Sequence, residues 1–408
     1  MKTRASDWID RRRWLQGSAS LAGLGLAGGL SGCATMPARG PGALALGDDA
    51  YRPLAPVRAR TDRIFDITVC LRPFRAAGPR MDTEQIGDTL VVHNYGHGGS
   101  GWSLSWGSGA IAVQKAMASS PKAVAVLGCG ALGLTSAILA QRAGAKVTIY
   151  AREFLPQTRS ARATGSWTPD SRIALAGAAG PGFGPIWEQM ARASFKAYRN
   201  YLGLPGEPVQ WIDRYTVSDL APDDPRAPGP PPEPLDFANY HQRIADLTPR
   251  AQRLAPGATP FDAPFVFRSE AMIFNIADYG HTLMTDFLLA GGVLRRMEFH
   301  APSELAALDE KVVINCPGYG GRSLWKDESI TPVRGQIAWL IPQPDVTYGA
   351  FYKGVNLIPR RDGVVVQSVG GGDMEGYGDD NELPDRAEAE RIVKVMAELY
   401  TRFHPRRG

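Results

Sequence analysis

The 408-residue chain has only four cysteines, Cys33, Cys70, Cys129 and Cys316, and no two stand in CxxC or another paired spacing. Neither a disulfide framework nor a cysteine metal site is indicated. Net charge is also small. The formal value is +4, with a surplus of three already before Cys33, so the rest of the chain is near +1. That balance gives no electrostatic reason to expect nucleic acid as a partner. Long apolar runs are missing as well. The weakly apolar Gly/Ala/Leu stretch ending at Leu30 is too short and too glycine-rich for a good membrane span. His93 and His97 stand at i, i+4, a spacing that brings metal ligands together on a helix. The glycines around them predict a loop, so no metal site is expected. What remains is ordinary globular composition and enough chain for one large or two medium domains.

The first segment reads as an address. Arg11-Arg12-Arg13-Trp14-Leu15 precedes the short apolar stretch, as in a signal peptide. The adjacent arginines resemble a twin-arginine export signal, although Asp10 stands where a Ser or Thr is usual. Leu30-Ser31-Gly32-Cys33 resembles a bacterial lipobox, which implies lipidation of Cys33 and an exported lipoprotein anchored to the bilayer, facing the periplasm. Residues 1–32 are thus expected to be a signal peptide, and the Pro/Gly/Ala-rich residues 33–57 a tether.

Further on, Ala123–Leu127 is a short continuous apolar run, as in a buried parallel strand. Gly128-Cys129-Gly130-Ala131-Leu132-Gly133 follows, then a helical pattern to Ala143 and a second strand from Lys146 to Tyr150. Strand, GxGxxG, helix, strand predicts a dinucleotide crevice, with Gly128, Gly130 and Gly133 letting backbone approach a pyrophosphate at the helix start. An acid is usual at the end of the second strand, but here Arg152 precedes Glu153. Arg152 suits either an NADP phosphate or an adenine beside bound FAD, and this position alone does not choose.

Three more segments do. FLPQTRSARATGSWTP (154–169), KVVINCPGYGG (311–321) and TPVRGQ (331–336), together with the GxGxxG unit, resemble the D-amino-acid oxidase family of FAD enzymes. The resemblance implies that Thr158, Ser160, Gly165, Ser166 and Gly318 lie near FAD. Arg159 replaces a family threonine, and Cys316-Pro317 replaces Ala-Thr.

Two segments upstream carry the most specific likeness. Leu71-Arg72-Pro73-Phe74-Arg75 and His93-Asn94-Tyr95-Gly96-His97-Gly98-Gly99 resemble the LRPxR and HNYGHGG signatures that come last in that family. Here they come first, while a predicted amphipathic helix (386–403) nearly closes the chain. A circular permutation is expected, with the old termini joined through 118–122. By the same resemblance, Arg72 anchors a substrate carboxylate, the Gly99 carbonyl receives the substrate amine, and Tyr348 and Tyr352 lie over the substrate in the cavity that Arg72 faces. Backbone N–H groups of Gly98, Gly99, Gly101 and Ser103 face the flavin carbonyls at a helix start.

The expected architecture is α/β: an FAD-binding Rossmann-like domain (58–190 and 271–330) and a substrate domain on a large mixed, mainly antiparallel sheet (191–270 and 331–385), then a C-terminal helix and tail. The activity implied is FAD-dependent oxidative deamination of a D-amino acid or related small amine, by hydride transfer to the flavin. Two alternatives stay open from sequence: an NAD(P)-dependent dehydrogenase, and a non-catalytic flavin-fold lipoprotein acting as a binding module.

Overall fold

Apolar residues alternate with polar ones from Ile64 to Arg75, and this stretch is the strand β1, with Val69, Leu71 and Phe74 buried. The computed structural model describes residues 51–222, 224 and 234–405; the predicted leader, Cys33 and most of the tether lie outside them. After β1 (Ile64–Arg75) come β2 (Thr83–Ile86), β3 (Thr89–His93), α1 (Gly101–Ala116), β4 (Ala123–Leu127), α2 (Ala131–Arg142) and β5 (Lys146–Ala151). The middle holds α3 (Ala176–Ala179), α4 (Phe183–Tyr198), β6 (Val209–Ser218), β7 (Gln252–Arg253), β8 (Phe265–Phe274), α5 (Ile276–Leu289), β9 (Val293–Arg296) and β10 (Val312–Asn315). The last third contributes α6 (Gly321–Leu324), β11 (Ile330–Leu340), β12 (Gly349–Tyr352), β13 (Val355–Arg360), β14 (Gly363–Ser368) and α7 (Arg386–Thr401).

Two sheets result. The first has the order β2-β3-β10-β4-β5-β9, with every neighbouring pair parallel except β2 on β3. Burial on both faces explains the unbroken apolar run of β4. One face carries α1, α2 and α5, and the other is closed by Leu305, Leu308 and Phe299. β3 runs into the HNYGHGG loop and then α1, while β4 runs through the GxGxxG turn into α2. Both helices therefore begin at the same end of two parallel strands that flank β10, where α/β sheets bind ligands.

The second sheet has the order β1-β11-β14-β13-β12-β6-β8-β7 and is antiparallel apart from β12 on β6. One face is packed by α7: Ala350, Tyr352, Leu357 and Val366 meet Ile392, Val393, Met396 and Leu399. Each buried Val, Leu, Ile or Met side chain among them contributes about 1.5–3 kcal/mol. The opposite face carries Ile212, Ile273, Ile337, Trp339 and Ile358, and turns toward the first sheet's helix starts. β1 departs from the expected domain boundary. It pairs with β11 along nearly its whole length, so residues 64–75 belong to the second sheet, as does the end of β8.

The C-terminal end of α7 lies beside the segment that enters β1. Val57–Arg60, Asp62 and Arg63 border one surface depression with Ala397, Tyr400 and Thr401; at the other end of α7, Arg386 Nη2 donates to the Thr61 carbonyl at 3.4 Å, so this segment runs along the helix.

Candidate active site

The crevice begins at the glycine turn. Gly128 has φ +92°, and a β-carbon there would stand 2.3 Å from the Cys316 carbonyl oxygen. A β-carbon on Gly133 would stand 1.9 Å from the Gly128 carbonyl oxygen, so this glycine lets α2 close onto the turn. The start of α2 has no side-chain cap from its own N-cap residue; instead Ala131 N donates to Ser160 Oγ at 3.1 Å. Gly128, Gly130, Arg152, Thr158, Ser160 and Gly318 line a crevice of about 230 Å³. Thr158 Oγ1 and Arg159 Nε are buried without a hydrogen-bond partner among the described residues. Glycine-cradled backbone, an open helix start and orphaned polar atoms fit a dinucleotide diphosphate. Arg152 is exposed and pairs with Glu298 at 3.1 Å and Glu153 at 3.4 Å, which raises its pKa. Its charge is already compensated, which removes the reason for reading it as an NADP-phosphate site.

The crevice opens into a cavity of about 430 Å³ between the two sheets, and Ala131, Leu132, Arg159, Ser160, Gly318 and Tyr319 line both. Gly98, Gly99, Gly101, Ser103, Gly165 and Ser166 face this cavity. Every expected cofactor residue except Gly133 therefore borders one continuous cleft. Ser103 Oγ accepts from Thr168 N at 2.8 Å, and Trp102 Nε1 donates to the Ser160 carbonyl at 2.8 Å, which ties α1's start to the 158–168 segment. Gly99 N donates to the Ser171 carbonyl at 3.1 Å, whereas no described group donates to the Gly99 carbonyl.

Arg72 enters from β1. Its Nη1 donates to the Arg334 carbonyl at 3.1 Å, and it has no ion-pair partner among the described residues. Burial lowers its pKa, while Cys70, Glu375 and Asp373 pull the other way. The guanidinium is charged at any physiological pH and so presents an unpaired fork to the cavity.

Tyr348 and Tyr352 are not in this cavity. Residues four apart on a strand share a face, but here it is the face packed by α7. Tyr348 Oη donates to the Ala55 carbonyl at 2.8 Å and meets Tyr400 Oη at 3.1 Å; Tyr352 Oη meets Asp219 at 2.9 Å, Glu398 at 3.0 Å and Arg402 at 2.7 Å. The i, i+4 spacing gave the shared face and not which face. Arg72 does not converge with either tyrosine.

Both histidines are held by side-chain hydrogen bonds within the fold. His97 Nε2 bonds Ser108 Oγ at 2.9 Å, and burial lowers its pKa to about 3. His93 sits between Glu84 at 3.0 Å and Asn315 at 2.9 Å. No metal-holding cluster occurs among the described residues.

Apart from Thr164, the cavity floor is built from residues that belong to none of the motifs. Asn356 on β13 and Gln367 on β14 stand directly opposite each other and line it, with Thr164, Ser368 and Glu375. The available signal was a polar residue within each otherwise apolar strand, VNLIPR and GVVVQS.

Comparison with known proteins adds the family. A model described as DAO, FAD dependent oxidoreductase, matches residues 123–407. The D-amino-acid oxidase of Dictyostelium discoideum is 26% identical over 287 residues, covering 68% of this chain and 73% of that protein. The D-amino-acid oxidase of Streptomyces coelicolor is 28% identical over 218 residues, covering 52% of this chain and 58% of that one. Among solved structures, glycine oxidase from Geobacillus kaustophilus matches with a TM-score of 0.43 and 12% identity, over 69% of this chain and 78% of that one. The LRPxR-like and HNYGHGG segments precede the family-model match.

Proposed function

Because the chain belongs to the DAO family of FAD-dependent oxidoreductases, we propose that it oxidises a D-amino acid to the imino acid, which hydrolyses to the keto acid, with hydrogen peroxide formed where oxygen is the acceptor. One observation carries this reading. Arg72 and Gly99, far upstream of the glycine turn, line the same cleft as Gly128, Gly130 and Ser160. FAD, when bound, supplies the acceptor for the hydride that leaves the substrate Cα.

The chain's own groups do the rest. The Arg72 fork holds the carboxylate, a task for which a planar, bidentate guanidinium is suited. The unpartnered Gly99 carbonyl accepts from the amine and so orients Cα. The uncapped start of α1 directs backbone N–H groups and the positive end of a 16-residue helix toward the site where negative charge collects on reduction. The two sheets enclose the reacting atoms and limit water access. The test is spectroscopic: purified protein is expected to carry FAD, to be bleached anaerobically by D-amino acids, and to release peroxide in air. Protein without FAD, or with FAD that no amino acid reduces, overturns the proposal.

The circular permutation belongs to the same reading. It is supported by the position of β1 and the HNYGHGG segment ahead of the family match, by the closeness of α7's end to the entry of β1, and by the short link 117–122 between α1 and β4. A chain reopened within 118–122, with its present ends joined, is expected to fold and bind FAD; failure to bind FAD counts against it. Export is supported by Arg11-Arg12-Arg13-Trp14-Leu15 and the short apolar stretch after it, and lipidation at Cys33 by Leu30-Ser31-Gly32-Cys33.

A further inference from the structure

If Arg72 holds the carboxylate, the cavity floor describes the rest of the substrate. Asn356 and Gln367 form a directly opposed pair on neighbouring antiparallel strands, on the face away from α7. They are 7% and 5% exposed. Their neighbours Leu357 and Val366 point the other way into the apolar core, so the two amides are fixed toward the cavity by strand alternation. The Asn356 carboxamide makes no hydrogen bond with the described residues, and its Oδ1 is fully buried. Gln367 Oε1 accepts from Thr164 Oγ1, which leaves Gln367 Nε2 without a protein partner. Buried amides are nearly always satisfied, and an unsatisfied one destabilises the fold.

The unmet demand is specific. It comprises one acceptor and several N–H donors, with no net charge. A carboxylate side chain offers acceptors only, which suit the amide N–H groups but leave Asn356 Oδ1 without a donor. An ammonium offers donors only and leaves Gln367 Nε2 unmet. An aliphatic side chain meets neither. A carboxamide or a hydroxyl offers both functions.

We propose that Asn356 and Gln367 form the side-chain subsite of the cleft, and that the preferred substrates are amino acids with a neutral hydrogen-bonding side chain, of the carboxamide or hydroxyl class. This rests on the amino-acid reading of the site. The test uses the FAD-loaded full chain and near-isosteric pairs, D-asparagine against D-leucine and D-threonine against D-valine, with anaerobic flavin reduction as readout. The polar member of each pair should be favoured at least tenfold in kcat/KM, because a site built around hydrogen bonds rejects the analogue that lacks them. Asn356→Leu should shrink the asparagine-to-leucine ratio at least tenfold with FAD content unchanged, and Gln367→Met should act in the same direction. A wild-type preference for the aliphatic members overturns the subsite and leaves amino-acid oxidation standing. Loss of FAD from folded Asn356→Leu with an unchanged substrate ratio also overturns it, since the amide would then face the flavin. Flavin that neither pair reduces, nor any other amino acid, overturns the subsite and the proposed function together.

Discussion

The Arg72 guanidinium lies against Gly335: a β-carbon on Gly335 would stand 2.3–2.5 Å from both terminal nitrogens and Cζ of Arg72. The two residues occupy neighbouring strands, β1 and β11, with Gly335 paired to Cys70. The glycine of the Arg-Gly-Gln segment thus gives the arginine its resting place. Gly335→Ala should displace the fork and raise the KM for a D-amino acid at least tenfold, while FAD content stays the same. Steady-state kinetics with an unchanged KM would refute this positioning role.

Tyr352 gives the converse case. Its hydroxyl joins Asp219, Glu398 and Arg402 on the α7 side of the sheet. Tyr352→Phe should lower stability by about 1 kcal/mol, the usual net worth of a side-chain hydrogen bond, and leave kcat and KM unaltered. A large loss of kcat in a folded, FAD-loaded Tyr352→Phe would place this tyrosine in the chemistry after all.

His97 makes stability depend on pH. Burial holds its folded pKa at about 3, against an ordinary value of 6.5. Between those values the unfolded chain takes up the proton and the native chain does not. The stabilisation is present above about 6.5 and declines as pH falls toward 3, with a slope approaching about 1.4 kcal/mol per pH unit from this group. In denaturant titrations from pH 7 to pH 4, His97→Asn should flatten that slope. An identical slope in the variant would show that other groups set the acid sensitivity.

How much of this was legible in the sequence depends on the kind of signal. The glycine turn was legible because a tight turn and close helix packing admit almost no other residue, as Gly128 and Gly133 show. The place of Arg72 and Gly99 in the cleft was legible through long, specific signatures. The tyrosine pair was not, because periodicity gives a common face and only the packing of Leu357 and Val366 against α7 decides which face is buried. The membership of β1 in the second sheet depends on pairing across more than 250 residues of sequence, for which local pattern carries no signal. Asn356 and Gln367 interrupt apolar strands, a signal that was present but unread.

The N-terminal proposal is separately testable. Cys33→Ala should move the protein from the membrane fraction to the soluble fraction on cell fractionation. Membrane association that survives the substitution would dismiss lipidation at this cysteine.

The central claim is that Arg72 and the glycine-lined crevice serve one amino-acid-oxidising site. The most direct measurement is anaerobic titration of the purified, FAD-loaded protein with D-amino acids, in parallel for wild type and Arg72→Ala, following the flavin absorbance. Loss of a charge-assisted pair costs roughly 2–5 kcal/mol. The account predicts that both proteins are yellow, that wild type is bleached, and that Arg72→Ala needs well over tenfold more substrate or is not bleached at all. Colourless wild-type protein, or a variant bleached as readily as wild type, would contradict it.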